Sequence, residues 1–224
     1  MIKQITTISL IAINITLTGC AISPTTPKDL SVYKANMPKS ILVLPPINDT
    51  PDVKATYSYW PTVIQPVAEA GYYVYPLSVV DTMFKENGIT NANDAQNIAP
   101  EKLKEIFGAD SALYIRIKQY GSKYQVLQTS VSVAVDAKLV DLKSGQTLWT
   151  GNKELVQANN NSNNGIVGLL VGALVDQIVN NLNDKAYPLS GVVSQQLFTP
   201  TYAPGMGLLY GPRSPKFQQD GVIK

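Results

Sequence analysis

Few side chains in this 224-residue sequence could do chemistry, and the most distinctive is its single thiol, Cys20. It closes the tetrapeptide Leu17-Thr18-Gly19-Cys20, behind a start that carries Lys3 and an apolar-rich run over residues 5–17. The run is too short to span a bilayer as a helix. A positive start, an apolar stretch and a small residue at Gly19 together make a secretory leader with its cleavage site. A thiol just past such a site is placed for acylation, and with no second cysteine the chain can form no internal disulfide. The absence of histidine removes the commonest general base, the usual zinc ligand and every Ser/His/Asp or Cys/His triad. The carboxylates Asp49, Asp52, Asp81, Asp136 and Asp141 are scattered, and each reads more simply as a turn, cap or solvated residue than as half of an acid–base pair. Gly205-Met206-Gly207 follows no strand and lies among prolines, so it is no phosphate loop. The expectation is a protein without enzymatic activity, cofactor or metal.

The tetrapeptide resembles the bacterial lipobox, in which the cysteine receives diacylglycerol and, after cleavage, becomes the mature N-terminus. Residues 1–19 are then a signal peptide and Cys20 is the lipidation site. Two or three acyl chains, palmitate among them, hold a protein on a membrane far more firmly than one, at roughly 0.8 kcal/mol per buried methylene. Ala21 rather than an aspartate follows Cys20, which by resemblance to bacterial sorting implies the outer membrane, facing the periplasm. The 18 Lys plus Arg nearly balance 16 Asp plus Glu, without a basic run, so nucleic acid is not an expected partner.

The elements that follow must present whatever this anchor holds. Residues 20–38 carry Pro24, Pro27 and Pro38 without apolar periodicity and read as a lipid-anchored tether, with a stretched reach of about 55 Å. A single domain is expected over residues 39–187. Ile41-Leu42-Val43-Leu44 is a strand buried on both faces and ended by Pro45-Pro46. A helix over residues 61–70 stops at Gly71, Tyr72-Tyr73-Val74-Tyr75 is a second strand, and Ser78 caps a helix running to Gly88. Residues 91–97 read as a polar loop, and Pro100 starts a helix stopped at Gly108. Strands at 112–120, 126–141 and 147–156 follow, with turns at Gly121-Ser122-Lys123 and Lys143-Ser144-Gly145-Gln146. The middle strand puts Val131, Val133, Val135, Ala137 and Leu139 on one face. The whole is an α+β fold: a mixed β-sheet made of two β-α units and a three-stranded antiparallel meander, with helices mainly on one face.

An Asn-rich loop leads into the nearly uncharged residues 166–182, a helix whose apolar side packs on the meander or whose glycines, Gly165, Gly168 and Gly172, admit a partner or a second copy at close range. Residues 188–224, rich in Pro and Gly, form a C-terminal extension that cannot sustain long helices. Tyr202, Leu208, Leu209 and Tyr210 give it apolar grips on the domain or on a partner. The clusters Tyr57, Tyr59, Trp60 and Tyr72, Tyr73, Tyr75 could stack a peptide or glycan.

The lipobox, the Ile41–Pro46 strand, Phe107-Gly108-Ala109-Asp110-Ser111-Ala112-Leu113-Tyr114-Ile115, and the stretch Asp141-x-x-x-Gly145-x-x-x-Trp149 together resemble a family of Gram-negative lipoproteins. It includes a neisserial surface-antigen candidate, and its members often accompany a lipoprotein similar to the curli secretion channel. The resemblance implies a fold similar to the N-terminal domain of the Tol-system propeller protein and supplies no catalytic residues. The expected function is that of a non-enzymatic accessory or assembly factor docking to another envelope protein, such as a curli-channel-like lipoprotein. The alternative is a periplasmic binding module for a peptide or glycan.

Overall fold

A computed structural model describes residues 29–125, 128–158, 184, 186–200 and 207–219. Its centre is β1 (Ser40–Val43), where Ile41, Leu42, Val43 and the following Leu44 are wholly buried. A continuous apolar run suits a strand with parallel neighbours and cover on both faces. β1 pairs in parallel with β3 (Tyr73–Val74) on one side and β4 (Ser111–Gln125) on the other. Pro45-Pro46 interrupts the ladder, and the short β2 (Ile47–Asn48) then resumes pairing with β4. β5 (Gln128–Asp141) and β6 (Thr147–Ala158) complete the expected meander, giving a mixed six-stranded sheet in the order β3-β1-β4-β5-β6 with β2 beside β4.

The hairpin of β4 and β5 is longer than its composition suggests. Gly121, Ser122 and Lys123, expected as a turn, stay in the ladder opposite Ser132, Val131 and Ser130, and pairing continues to Gln125 opposite Gln128. A bulge between Ile117 and Gln119 inserts one extra residue, so that Ile117 and Tyr120 both face the core. The tight turn after β5 is as expected: Asp141 Oδ2 accepts from the Ser144 N–H at 2.7 Å, and Gly145 takes φ +69°.

Helices α2 (Ala55–Tyr59) and α3 (Ile64–Glu69) flank a 3₁₀ turn over Trp60–Val63, a longer helical stretch than expected. The 3₁₀ turn accommodates Pro61 near its start. α4 (Leu77–Glu86) begins one residue ahead of Ser78, which therefore lies inside the helix and does not cap it. Residues 91–97 hold a short helix, α5 (Ala92–Gln96), which Asn91 caps by accepting from the Asp94 N–H at 2.9 Å. α6 (Pro100–Phe107) has Pro100 at its start and a left-handed Gly108 at its end, as predicted.

Both ends of the domain extend beyond the expected 39–187. The tether stops sooner, because α1 (Ser31–Ala35) is folded and Tyr33 is fully buried. Past residue 187 lies α7 (Ala186–Phe198), thirteen residues long. Pro188 sits in its first turn, where a backbone N–H has no helical acceptor to lose. Ala186, Leu189, Val193, Leu197 and Phe198 turn inward at helical spacing. α7 packs on β4, β5, β6 and the α2–α3 stretch, forming the main helical layer. Leu208 and Leu209 are also buried, and residues 211–213 form a strap along the domain, with the Gly211 N–H donating to Ala70 O at 2.8 Å and the Arg213 N–H to Gly71 O at 3.1 Å.

Asp184 locks the start of α7. Its Oδ1 accepts from the N–H groups of Ala186 and Tyr187, and its Oδ2 accepts from Tyr120 Oη at 2.7 Å and Ser58 Oγ at 2.9 Å. Burial, with the Asp184 carboxylate added, pushes the Tyr120 hydroxyl above the ordinary tyrosine value of about 10. A folded pKa raised above the unfolded one gives stability that is complete below about pH 10 and lost as pH climbs through the folded value. The thermal midpoint is therefore expected to drop as pH rises above about 10, and to drop less in Tyr120→Phe. An equally steep drop in that variant would assign the effect to other tyrosines.

Candidate functional site

α7 covers one face of the meander. On the other face, α6 sits near the start of β4 and leaves a mouth beyond it. Alternation along three neighbouring strands brings two rows of side chains to this mouth. Tyr114 stands opposite Lys138, which stands opposite Thr150. Arg116, Asp136 and Asn152 make the next row. With Ile47 of β2 and Gln96 and Asn97 at the end of α5, they line a cleft of about 600 Å³. Gln96 fixes its rim by donating from Nε2 to Pro45 O at 2.8 Å and Ile115 O at 2.9 Å.

The cleft is charged and ordered. The Lys138 ammonium lies 4.8 Å from the centre of the Tyr114 ring, a cation–π contact that holds both in place. Burial, and secondarily the charge of Glu101, raise the Tyr114 hydroxyl above its usual value. Asp49 reaches over from the loop after β2 to meet Arg116 at 2.8 Å and Lys118 at 3.2 Å. Such an array can match a partner's charges and hydrogen-bonding groups. Among the described residues no cluster of His, Cys, Asp or Glu could hold a metal ion, and no helix is long and apolar enough to cross a membrane.

The model of the GNA1162-like lipoproteins matches residues 28–213. The chain belongs to the GNA1162-like lipoprotein family. It is 43% identical over 197 residues to the lipoprotein NMB1124/NMB1162 of Neisseria meningitidis serogroup B, covering 88% of this chain and 91% of that one. The crystal structure of lipoprotein GNA1162 from Neisseria meningitidis shares 47% identity with a TM-score of 0.54, covering 64% of this chain and all of that chain. The PelC dodecamer from Paraburkholderia phytofirmans aligns at 12% identity and TM-score 0.43 over 76% of this chain and 89% of its own, a likeness too slight to carry an argument.

In this GNA1162-like chain, Cys20, Gly165, Gly168, Gly172 and Tyr202 lie outside the described residues. Leu208 and Leu209 require a correction. They are 2% and 4% exposed, so their side chains belong to the domain's own core and offer no surface to a partner, while Tyr210 is half-buried. The aromatic clusters do not form one platform. Tyr59, Trp60 and Tyr72 are core residues, with Trp60 Nε1 donating to Val43 O at 3.1 Å. Tyr57 and Tyr73 remain exposed, and Tyr57 lines a separate hollow of about 180 Å³ beside Val53, Asp81 and Lys85. Of the five carboxylates, Asp52 accepts from the Lys54 N–H, Asp81 pairs with Lys85 and Asp141 holds its turn, while Asp49 and Asp136 both come to Arg116 at the cleft. The cleft itself was partly readable, since alternation puts Tyr114, Arg116 and Lys118 outward. Asp49 meets Arg116 across 67 positions, and no local pattern announces that pairing.

Proposed function

We propose that this GNA1162-like protein is exported, acylated at Cys20 and held on the periplasmic side of the outer membrane, where it docks to another envelope protein without doing chemistry. The observation that carries the docking is the end of the sheet left open among the described residues, where Arg116, Asp136 and Lys138 on neighbouring strands and Asp49 on the loop after β2 present charges of both signs. Fixed charges of alternating sign steer association and fix register more than they add raw affinity. A curli-channel-like lipoprotein is the partner class the family resemblance favours. Non-enzymatic action agrees with Asp49 and Asp81 held by cations and with Asp52 and Asp141 held by backbone N–H groups. The cleft of about 600 Å³, with Tyr114 and four amide or hydroxyl side chains, also supports the second reading, a peptide or glycan module, at a place other than the tyrosine clusters.

Fractionation and native mass of the detergent-extracted protein test this reading. The wild type is expected with the membranes and in a complex larger than a monomer. Cys20→Ser is expected in the soluble fraction, and Arg116→Glu/Lys138→Glu is expected to stay on the membrane while losing the complex. A lone monomer in every form sinks the docking reading and moves the search to a small ligand in the same cleft.

A further inference from the structure

Both ends of the domain close on the same end of the sheet, the C-terminal segment at the β3 edge and α1 packed against β6 with its Tyr33 reaching back toward β3. Tyr33 of α1 reaches it through a 2.8 Å contact between its hydroxyl and that of Tyr72, and the C-terminal segment reaches it through Leu209, whose carbonyl accepts from Tyr72 Oη at 2.7 Å. Four exposed cations stem from the backbone that meets there. Lys34 follows Tyr33 in α1. Lys39 accepts at its carbonyl from the Tyr73 N–H at 3.0 Å. The Arg213 guanidinium lies 5.3 Å from the centre of the exposed Tyr73 ring, and the Lys216 ammonium 5.6 Å from that of Tyr210. Among the described residues none of the four has a carboxylate within ion-pair distance. Of the described carboxylates at this end, Asp29 accepts from the Ser31 N–H, and Asp110 accepts from the N–H groups of Lys39 and Ser40 and lies 3.9 Å from Lys104.

Chain length sets where this end sits. Cys20 lies nine residues before Asp29, and nine residues span at most about 30 Å. A lipid at Cys20 therefore holds the start of the described domain within about 30 Å of the bilayer. We propose that the end of the sheet bordered by α1 and the strap is a membrane-contacting surface for anionic phospholipid headgroups. Lys34, Lys39, Arg213 and Lys216 meet the phosphates, and Tyr73 and Tyr210 sit at headgroup depth, where amphipathic rings are favoured. The orientation rests on acylation at Cys20; the binding does not.

The test uses the mature chain carrying Cys20→Ser, sedimented with phosphatidylethanolamine vesicles that contain one third phosphatidylglycerol or none. Binding is expected only with phosphatidylglycerol and is expected to weaken in high salt, as screening demands. Lys34→Glu/Lys216→Glu should weaken it at least about tenfold, since each basic residue near an anionic surface adds measurably to binding. The charge-matched pair Arg116→Glu/Lys138→Glu should bind as the parent does. No binding to the anionic vesicles, or equal loss in the two pairs, overturns the proposal; circular dichroism of both pairs confirms that the fold is intact. Palmitate labelling of the wild type in cells tests the anchor separately. Unlabelled Cys20 with vesicle binding intact removes the anchor reading and leaves this surface standing.

Discussion

Gly151→Ala is expected to destabilise the domain by about 3 kcal/mol, near the upper end for overpacking a filled core, and to lower the thermal midpoint by roughly 10 °C. Trp149 and Gly151 lie two residues apart on the covered face of β6, and the indole lies across the bare backbone of the glycine. A Cβ there would run into the Trp149 ring and stand 2.9 Å from Leu197 Cδ1. Both neighbours are themselves packed: the indole is buried with its centre 6.0 Å from that of Phe198, and Leu197 is buried on the inner face of α7. Differential scanning calorimetry on the Cys20→Ser chain provides the measurement. A midpoint within a degree or two of the parent would mean that α7 can shift outward, and that the packing here is looser than the contacts imply. The same geometry accounts for the Trp149 of the Asp-x-x-x-Gly-x-x-x-Trp stretch: the turn sets the register of β6, and the register lays the indole under α7.

Asp184→Ala carries the second large effect, also about 3 kcal/mol, because one substitution removes a helix cap and the acceptor of two side-chain hydroxyls. Tyr120, Ser58 and the first amides of α7 all converge on this carboxylate. Asp184→Asn retains an oxygen for the helix amides and should recover part of the loss. Urea unfolding resolves the two, since a changed midpoint at constant slope reports stability alone. A loss below about 0.5 kcal/mol for the alanine variant would place it among ordinary surface substitutions and show that water replaces the carboxylate without cost.

What could be read from the sequence was what repeats or punctuates. Ile41 to Leu44, the alternation from Val131 to Leu139, and the Pro100 and Gly108 that bracket α6 each impose their element locally, and the structure keeps all three. Local signals misled wherever tertiary packing outbid them. Gly121 and Lys123 look like turn residues but are held in the ladder by Ser132 and Ser130 across from them. Pro188 looks like a breaker but falls where a helix needs no donor. α1 has five residues and one buried side chain, too little for any periodicity to show, and it is held by distant partners, Tyr72 and β6 among them. In the cleft, the outward residues of β4 follow from alternation, whereas Asp49 and Gln96 arrive from loops and a short helix whose positions are set by the whole fold.

The place of β1 in the sheet bears on mechanics. This strand follows α1 directly and has parallel partners on both sides, with Ser40 opposite Tyr73 and Ile41 opposite both Val74 and Ser111. A tug on the N-terminal end enters along the strand axis, so it loads two ladders in shear at once instead of unzipping one bond at a time. Rupture under load is governed by the unfolding rate rather than by equilibrium stability. Traction on the N-terminal end of the domain would thus have to break two parallel ladders before the sheet opened.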